Sequence, residues 1–264
     1  MLRLRFLSFQ KIPYTLLING GIINKDESSF KRKYKTKIIS TASKYMSPSQ
    51  ESTNYLMYYG AKKENIKQYP YSNLSINDIK RENVDKNLIR RKYNLPENGK
   101  IFVNASQFIT RKNNLELIKN FEKRKDYLLL IGQGPELSIY ETYIKEKNLN
   151  NIIIKPFVEK KTLFEILSCC DVFVTLAMQD IFGHTTLEAL ANGLPVVSSN
   201  KVNSSLEYIK NGVNGYVVDL DNLDNIQEVL DNSLKLKRED AINSCLNNTF
   251  ESCGKALFEI LKNE

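Results

Sequence analysis

The sequence predicts an α/β protein built from parallel βαβ units. Short apolar runs of strand length recur along its 264 residues, amphipathic helical stretches separate most of them, and glycine, proline and asparagine punctuate the joins. Strands of a parallel sheet are covered on both faces, so they read as continuous apolar runs rather than as an alternation. The run YLLLI at 127–131 is of this kind. Strand candidates fall at 14–18, 37–40, 101–103, 127–131, 152–154, 172–176, 195–198 and 215–218, with a further one at 66–69. Helical stretches are expected at 114–121, 135–147, 161–168, 186–191 and 222–236. Strands alternating with helices of this length imply a doubly wound sheet.

The elements divide the chain. Proline, asparagine and glycine in NLPENGK mark a boundary near residues 94–99, just before the strand IFVNAS. Six strand candidates follow in regular alternation between about residue 100 and residue 221, enough for a complete Rossmann-like domain. Residues 1–94 offer fewer strands and read as part of a domain; residues 95–249 form the complete one. Residues 250–264, containing FESCGKALFEILK, form an amphipathic helix that packs back toward the N-terminal part.

Composition sets the class of partner. The chain carries 38 Lys and Arg against 30 Asp and Glu, a formal charge of +8. This favours anionic partners: nucleotides, phosphorylated lipids or the surface of an anionic membrane. A denser run, KDESSFKRKYKTK at 25–37, is read as a solvated helix face. No stretch approaches the roughly 18 to 20 apolar residues of a membrane span, and MLRLRFLSFQK lacks the apolar core and cleavage site of a signal peptide. The expected location is cytoplasmic, with peripheral contact at the inner face of the membrane. Basic residues are not interleaved with aromatics as in a nucleic-acid binder, so no nucleic-acid partner is expected. Cys169, Cys170, Cys245 and Cys253 show no metal-ligand spacing and read as packed, reduced thiols.

The densest chemistry lies in QDIFGHTTLEALANG at 179–193. An acid (Asp180), a Phe182 and Gly183 turn, the only histidine (His184), Thr185 and a second acid (Glu188) stand where a buried strand gives way to a helix. In an open α/β sheet ligands bind outside the carboxyl ends of the strands, and a helix start offers unpaired N–H groups to an anion. The backbone of residues 183–185 is the candidate cradle for a phosphate or sugar. Two readings of Glu188 stay open. It can accept hydrogen bonds from ribose hydroxyls, or it can close a capping box as the last residue of TTLE. Arg111 and Lys112, after the strand IFVNAS, either face an anionic ligand or form a solvated loop pair. Gly132-Gln133-Gly134-Pro135 follows a strand but lacks the third glycine of a dinucleotide fingerprint, which makes a nicotinamide enzyme a poor rival.

The ordered set IFVNAS, TRKNN, LLLIGQGPEL, NIIIKPFVEKKTL, CCDVFVTL, DIFGHTTLEALANGLPVVSS and NGVNGYVV resembles the donor-binding half of glycosyltransferase family 4, retaining enzymes of GT-B fold. Upstream, SKYMSPSQESTNYLMYYGAKKENIKQYP is similar to the end of that family's acceptor-side domain. The family places two acids eight residues apart around a Phe-Gly turn, here Asp180 and Glu188, followed by Ala189, Gly193, Pro195 and Val196. The resemblance implies a retaining hexosyl- or pentosyltransferase that takes a nucleotide-diphospho-sugar as donor and needs no metal or other cofactor. Its acceptor is a saccharide or lipid-linked chain in cell-surface polysaccharide or glycolipid synthesis. By resemblance, Lys112 faces the diphosphate and Glu188 the ribose. Asp180, one methylene shorter than the family's usual glutamate, orients the donor sugar. Phe157 and Val158 border the base through their backbone, and Gly132 is a further expected donor-binding residue.

Two departures bear on function. The family carries an arginine in a Gly-Arg pair where this chain has Ser106 and Gln107, which makes Arg111 the expected substitute. The family's first glycine-rich turn and N-terminal histidine have no counterpart before His184, so roughly one hundred residues of the acceptor domain are expected to be missing or supplied by a separate chain. The alternative to an active enzyme is then a nucleotide-sugar-binding half that is inactive alone.

Overall fold

A computed structural model describes residues 12–80 and 84–262. The chain divides into two compact units, Met1–Asn73 with Asn248–Glu264, and Leu74–Asn247.

In the first unit three parallel strands, β1 (Thr15–Leu17), β2 (Lys44–Ser47) and β3 (Ile66–Gln68), pair in chain order. Helices α1 (Ser29–Ile39) and α2 (Gln50–Tyr58) connect them. Ile39, Tyr45, Leu56 and Tyr59 form the core of this unit. The strand expected at 37–40 is the end of α1. Ser28 caps this helix by accepting the Lys31 N–H at 3.4 Å, and Ile38 and Ile39 turn into the core from its last turn. A β-branched pair mimics a strand in sequence, but burial from one helical face satisfies it equally well. The true strand lies five residues on, where the Tyr45 hydroxyl donates to the Ile39 carbonyl at 2.6 Å.

The second unit is a six-stranded, wholly parallel sheet. Its strands are β4 (Ile101–Ala105), β5 (Tyr127–Ile131), β6 (Ile152–Lys155), β7 (Val172–Thr175), β8 (Val196–Ser199) and β9 (Gly215–Val218). Their spatial order is β6-β5-β4-β7-β8-β9, the doubly wound order in which the chain reverses direction between β4 and β7. Among the described residues its α-helices are α3 (Lys86–Lys92), α4 (Asn114–Asn120), α5 (Leu137–Glu146), α6 (Lys160–Cys169), α7 (Thr185–Ala191), α8 (Asn203–Tyr208), α9 (Ile226–Ser233) and α10 (Arg238–Cys245). Along α5, Leu137, Tyr140, Tyr143 and Ile144 recur at helical spacing and pack on the core with Phe102, Phe121 and Leu130, while Ile139 faces outward. The stretch expected to be helical at 222–236 narrows to α9, whose Ile226 and Leu230 are buried. Helix α11 (Phe250–Lys262) clusters with the first unit.

The division falls at Asn73 and Leu74 rather than at the expected residue 94. The reason is Arg90 of α3, whose guanidinium is buried. It donates to the carbonyls of Cys169 (3.0 Å), Glu97 (3.2 Å) and Gly99 (3.1 Å), and pairs with Asp171 at 2.9 Å. The Asp171 carboxylate also accepts the Ile101 N–H at 2.9 Å, at the first residue of β4. Turn residues at 94–99 therefore lie inside the larger unit, fastened to the starts of β4 and β7.

All four cysteines are free thiols, three of them buried and Cys253 half-buried. No helix of the described residues is long and apolar enough to cross a membrane.

Candidate functional site

The site grows from the reversal between β4 and β7. Asn104, buried in β4, donates its side-chain amide to the Val174 carbonyl of β7 at 2.7 Å and accepts from the Ser106 hydroxyl at 2.7 Å. The loops leaving these two strands are then laced together. Asn113, in the left-handed region at φ 56°, donates to the Leu176 carbonyl at 3.0 Å. Met178 N–H donates to the Arg111 carbonyl at 2.8 Å, and the Arg111 guanidinium donates to the Gln179 carbonyl at 3.2 Å. Lys112 Nζ meets Asp180 Oδ2 at 2.5 Å, with both side chains largely buried.

A third segment holds the Phe-Gly turn from the other side. Asp180 N–H donates to the Lys201 carbonyl at 3.0 Å, and the Asn203 amide donates to the Ile181 carbonyl at 2.8 Å. Ser204 donates its N–H to Phe182 and its hydroxyl to the Gly183 carbonyl, each at 2.7 Å. Gly183 has φ +85°, and a Cβ there would lie 2.7 Å from Val202 Cγ1, so glycine is required on both counts. His184 follows as the residue capping α7, its ring 5.2 Å from that of Phe182. Burial holds the imidazole pKa below its ordinary value; the Asp180 charge opposes this and the Lys160 charge reinforces it.

Beside this framework lies a cavity of about 660 Å³ at the carboxyl ends of β4 and β5, a volume typical of small-molecule sites. Its wall includes Ser106 and Gln107 after β4, Gly132, Gln133 and Gly134 after β5, Phe157, Val158 and Lys160 after β6, and Thr185 and Glu188 of α7. The loops after β4 and β5 approach so closely that a Cβ on Gly132 would stand 1.9 Å from the Ser106 carbonyl oxygen. Phe108 N–H donates to the Gln133 carbonyl at 2.8 Å across the same join.

Of the residues singled out in the sequence, Gly132, Phe157, Val158, Thr185 and Glu188 line the cavity. Lys112, Arg111, Asp180, Phe182, Gly183 and His184 lie in the adjoining framework, held as described. The capping-box alternative for Glu188 fails on register. The helix starts at Thr185 with His184 as its cap and no side-chain cap bond. This places Glu188 one position beyond the third residue that such a box requires. Glu188 is instead a buried acid, 8% exposed, on the cavity wall. Sequence reasoning passed over Asn104, Asn113 and Lys160. An asparagine inside an otherwise apolar strand was the available signal for the first. Lys160 gave none, since a lysine at a helix start is ordinary.

Residues 85–247 match the profile of the family described as glycosyl transferases group 1, more than half of the chain. The chain belongs to this family. The ordered motifs around Asp180 and Glu188 lie within the matched residues. Among curated relatives, the N-acetyl-alpha-D-glucosaminyl L-malate synthase of Bacillus anthracis is 24% identical over 185 residues, 68% of this chain and 46% of that protein. The O-antigen biosynthesis glycosyltransferase WclY of Escherichia coli is 26% identical over 155 residues, 58% of this chain and 42% of its own. The chain thus spans less than half the length of these relatives. The crystal structure of Anabaena Alr3699/HepE in complex with UDP superposes with a TM-score of 0.80 at 17% identity, covering 99% of this chain and 77% of that one. The fold of the chain is of the GT-B type.

Proposed function

We propose that the chain is a retaining glycosyltransferase that takes a nucleotide-diphospho-sugar as donor and extends a saccharide or lipid-linked acceptor in cell-surface polysaccharide or glycolipid synthesis. The observation that carries this reading is the cavity at the reversal of the doubly wound sheet, with Glu188 buried in its wall beside glycine turns that let the loops after β4 and β5 close on one another. Family membership, relatives named for glycosyl transfer and a shared fold with a protein crystallised with UDP support it.

In this reading Glu188 accepts the ribose hydroxyls, and the backbone bordering Phe157 and Val158 faces the base. The Lys112 ammonium, with the backbone of residues 183–185, meets the charge that grows on the leaving diphosphate. Asp180 holds Lys112 in place and orients the donor sugar. The bond from the anomeric carbon to the diphosphate oxygen breaks, and the acceptor oxygen bonds to that carbon on the same face. The acceptor's proton passes to the leaving phosphate. A double displacement would need a carboxylate within bonding reach of the anomeric carbon, and the short, ion-paired Asp180 suits positioning better. Lysine and backbone donors meet the phosphate charge in this scheme, so no metal or other cofactor is required.

Calorimetric titration with UDP and UDP-glucose tests the donor site. Glu188→Ala and Lys112→Ala are each expected to weaken donor binding by about tenfold or more, the worth of a charge-assisted hydrogen bond, with circular dichroism unchanged. Unaltered affinity in both would sink the assignment. Turnover of the donor in the presence of a saccharide acceptor identifies a complete enzyme, whereas donor binding without turnover identifies a binding half that works with another chain.

A further inference from the structure

The cavity has an unusual charge pattern for a site meant to take a diphosphate. Among the described residues that line it, Lys160 carries the one positive charge and Glu188 the one negative charge. The loop after β4 contributes the neutral Ser106 and Gln107. Arg111 and Lys112 stand in the adjoining framework and not on this wall, Arg111 with its guanidinium on the Gln179 carbonyl and Lys112 with its ammonium on Asp180, from where it meets only the diphosphate end of a donor. An anion placed against this wall therefore meets favourable formal charge at Lys160, and repulsion at Glu188.

Lys160 is also anchored. It opens α6, and its Nζ donates to Asp78 Oδ2 at 2.8 Å. The same Asp78 oxygen accepts the Ser75 N–H at 2.8 Å, and Ser75 and Asp78 close a capping box around the short turn Ile76–Asp78. Two residues further, the Lys80 N–H donates to the Ala191 carbonyl at 2.8 Å, at the end of the helix that carries Glu188. A turn distant in sequence thus fixes a cation on the cavity wall. An ammonium has three donors, so it can keep Asp78 and still bind a phosphate oxygen.

Resting on the donor reading above, we infer that Lys160 is an anion-binding residue of this cavity. It takes a phosphate oxygen of the nucleotide and supplies the charge that Ser106 and Gln107 leave out. Its effect falls on the phosphates and not on the base or the ribose.

Calorimetric titration of the full chain with UDP and with uridine separates the cases. Lys160→Met is expected to weaken UDP binding by about tenfold while leaving uridine binding unchanged, as loss of one charge-assisted contact requires. Lys160→Arg should restore most of the UDP affinity. Lys160→Gln, which keeps a polar end without charge, should behave as Lys160→Met and guards against a packing effect. Equal UDP affinity in the Met and Gln variants and the unaltered chain overturns the inference. Parallel loss of UDP and uridine binding also overturns it, because that marks a structural wall residue. Failure of the unaltered chain to bind any of UDP, ADP and GDP overturns the donor reading itself, a separate result.

Discussion

Gly132 makes the strictest demand of any single residue on the cavity wall. A side chain there collides with the Ser106 carbonyl oxygen, a backbone atom that cannot swing aside. Gly132→Ala should cost about 1 to 3 kcal/mol, the usual range for overpacking, and should weaken UDP binding by separating the loops after β4 and β5. Urea unfolding and calorimetry would check both; an unaffected variant would mean the loops part freely. His184 makes a different demand. Its folded pKa lies below the unfolded value because burial disfavours the imidazolium. The folded state therefore binds fewer protons than the unfolded one, and His184 costs stability as pH falls below the unfolded value of about 6.5. Stability should decline on acidification through that range, and His184→Gln should flatten the decline. An equally steep decline in the variant would show that other groups carry it.

Among the elements, α3 depends on one side chain. Arg90 satisfies the Glu97 and Gly99 carbonyls of the 94–99 turn and neutralises Asp171, whose carboxyl is pushed up by burial but held below its ordinary value by Lys86, the Ile101 N–H and Arg90 together. Arg90→Met leaves a buried carboxylate with less compensation and should destabilise the larger unit by about 3 to 5 kcal/mol, read as a lower urea midpoint. Part of this interaction disappears for the unaltered chain in acid. A carboxyl with depressed pKa stabilises above its unfolded value of about 3.9 and loses that contribution as pH falls through the folded one. Elements were legible where pattern and burial agreed. YLLLI could only be a covered strand, and LSIYETYIKE could only be a one-sided helix. KIIS at 37–40 misled because two isoleucines at a helix end look like a strand, and KYMS at 44–47 escaped notice because it is short and half polar.

At the scale of the molecule, ligand binding and fold stability are linked. A donor that binds the folded larger unit stabilises it by about 2.7 kcal/mol at one hundred times its dissociation constant, so UDP should raise the melting temperature of the chain. Nucleotides that fail to raise it would be excluded as donors. Removal of divalent cations by EDTA should leave UDP binding unchanged, since Lys112 and backbone donors meet the phosphates in the proposed scheme. A large loss on chelation would require a metal in that scheme.

The parallel α/β architecture, the ordered motifs around Asp180 and Glu188, and the family of the chain are all legible in residue order alone. These follow from local rules: strand and helix periods, glycine at turns, and residue types at fixed spacing. Tertiary structure decided what those rules cannot reach. It placed residues 74–94 with the larger unit through Arg90, took Glu188 out of capping register and onto a cavity wall, and set Lys112 against Asp180, 68 positions away. It also brought Lys160 to the cavity on a carboxylate 82 positions upstream. Each of these depends on which strands become neighbours when the sheet reverses between β4 and β7, and that is settled by packing across the whole domain.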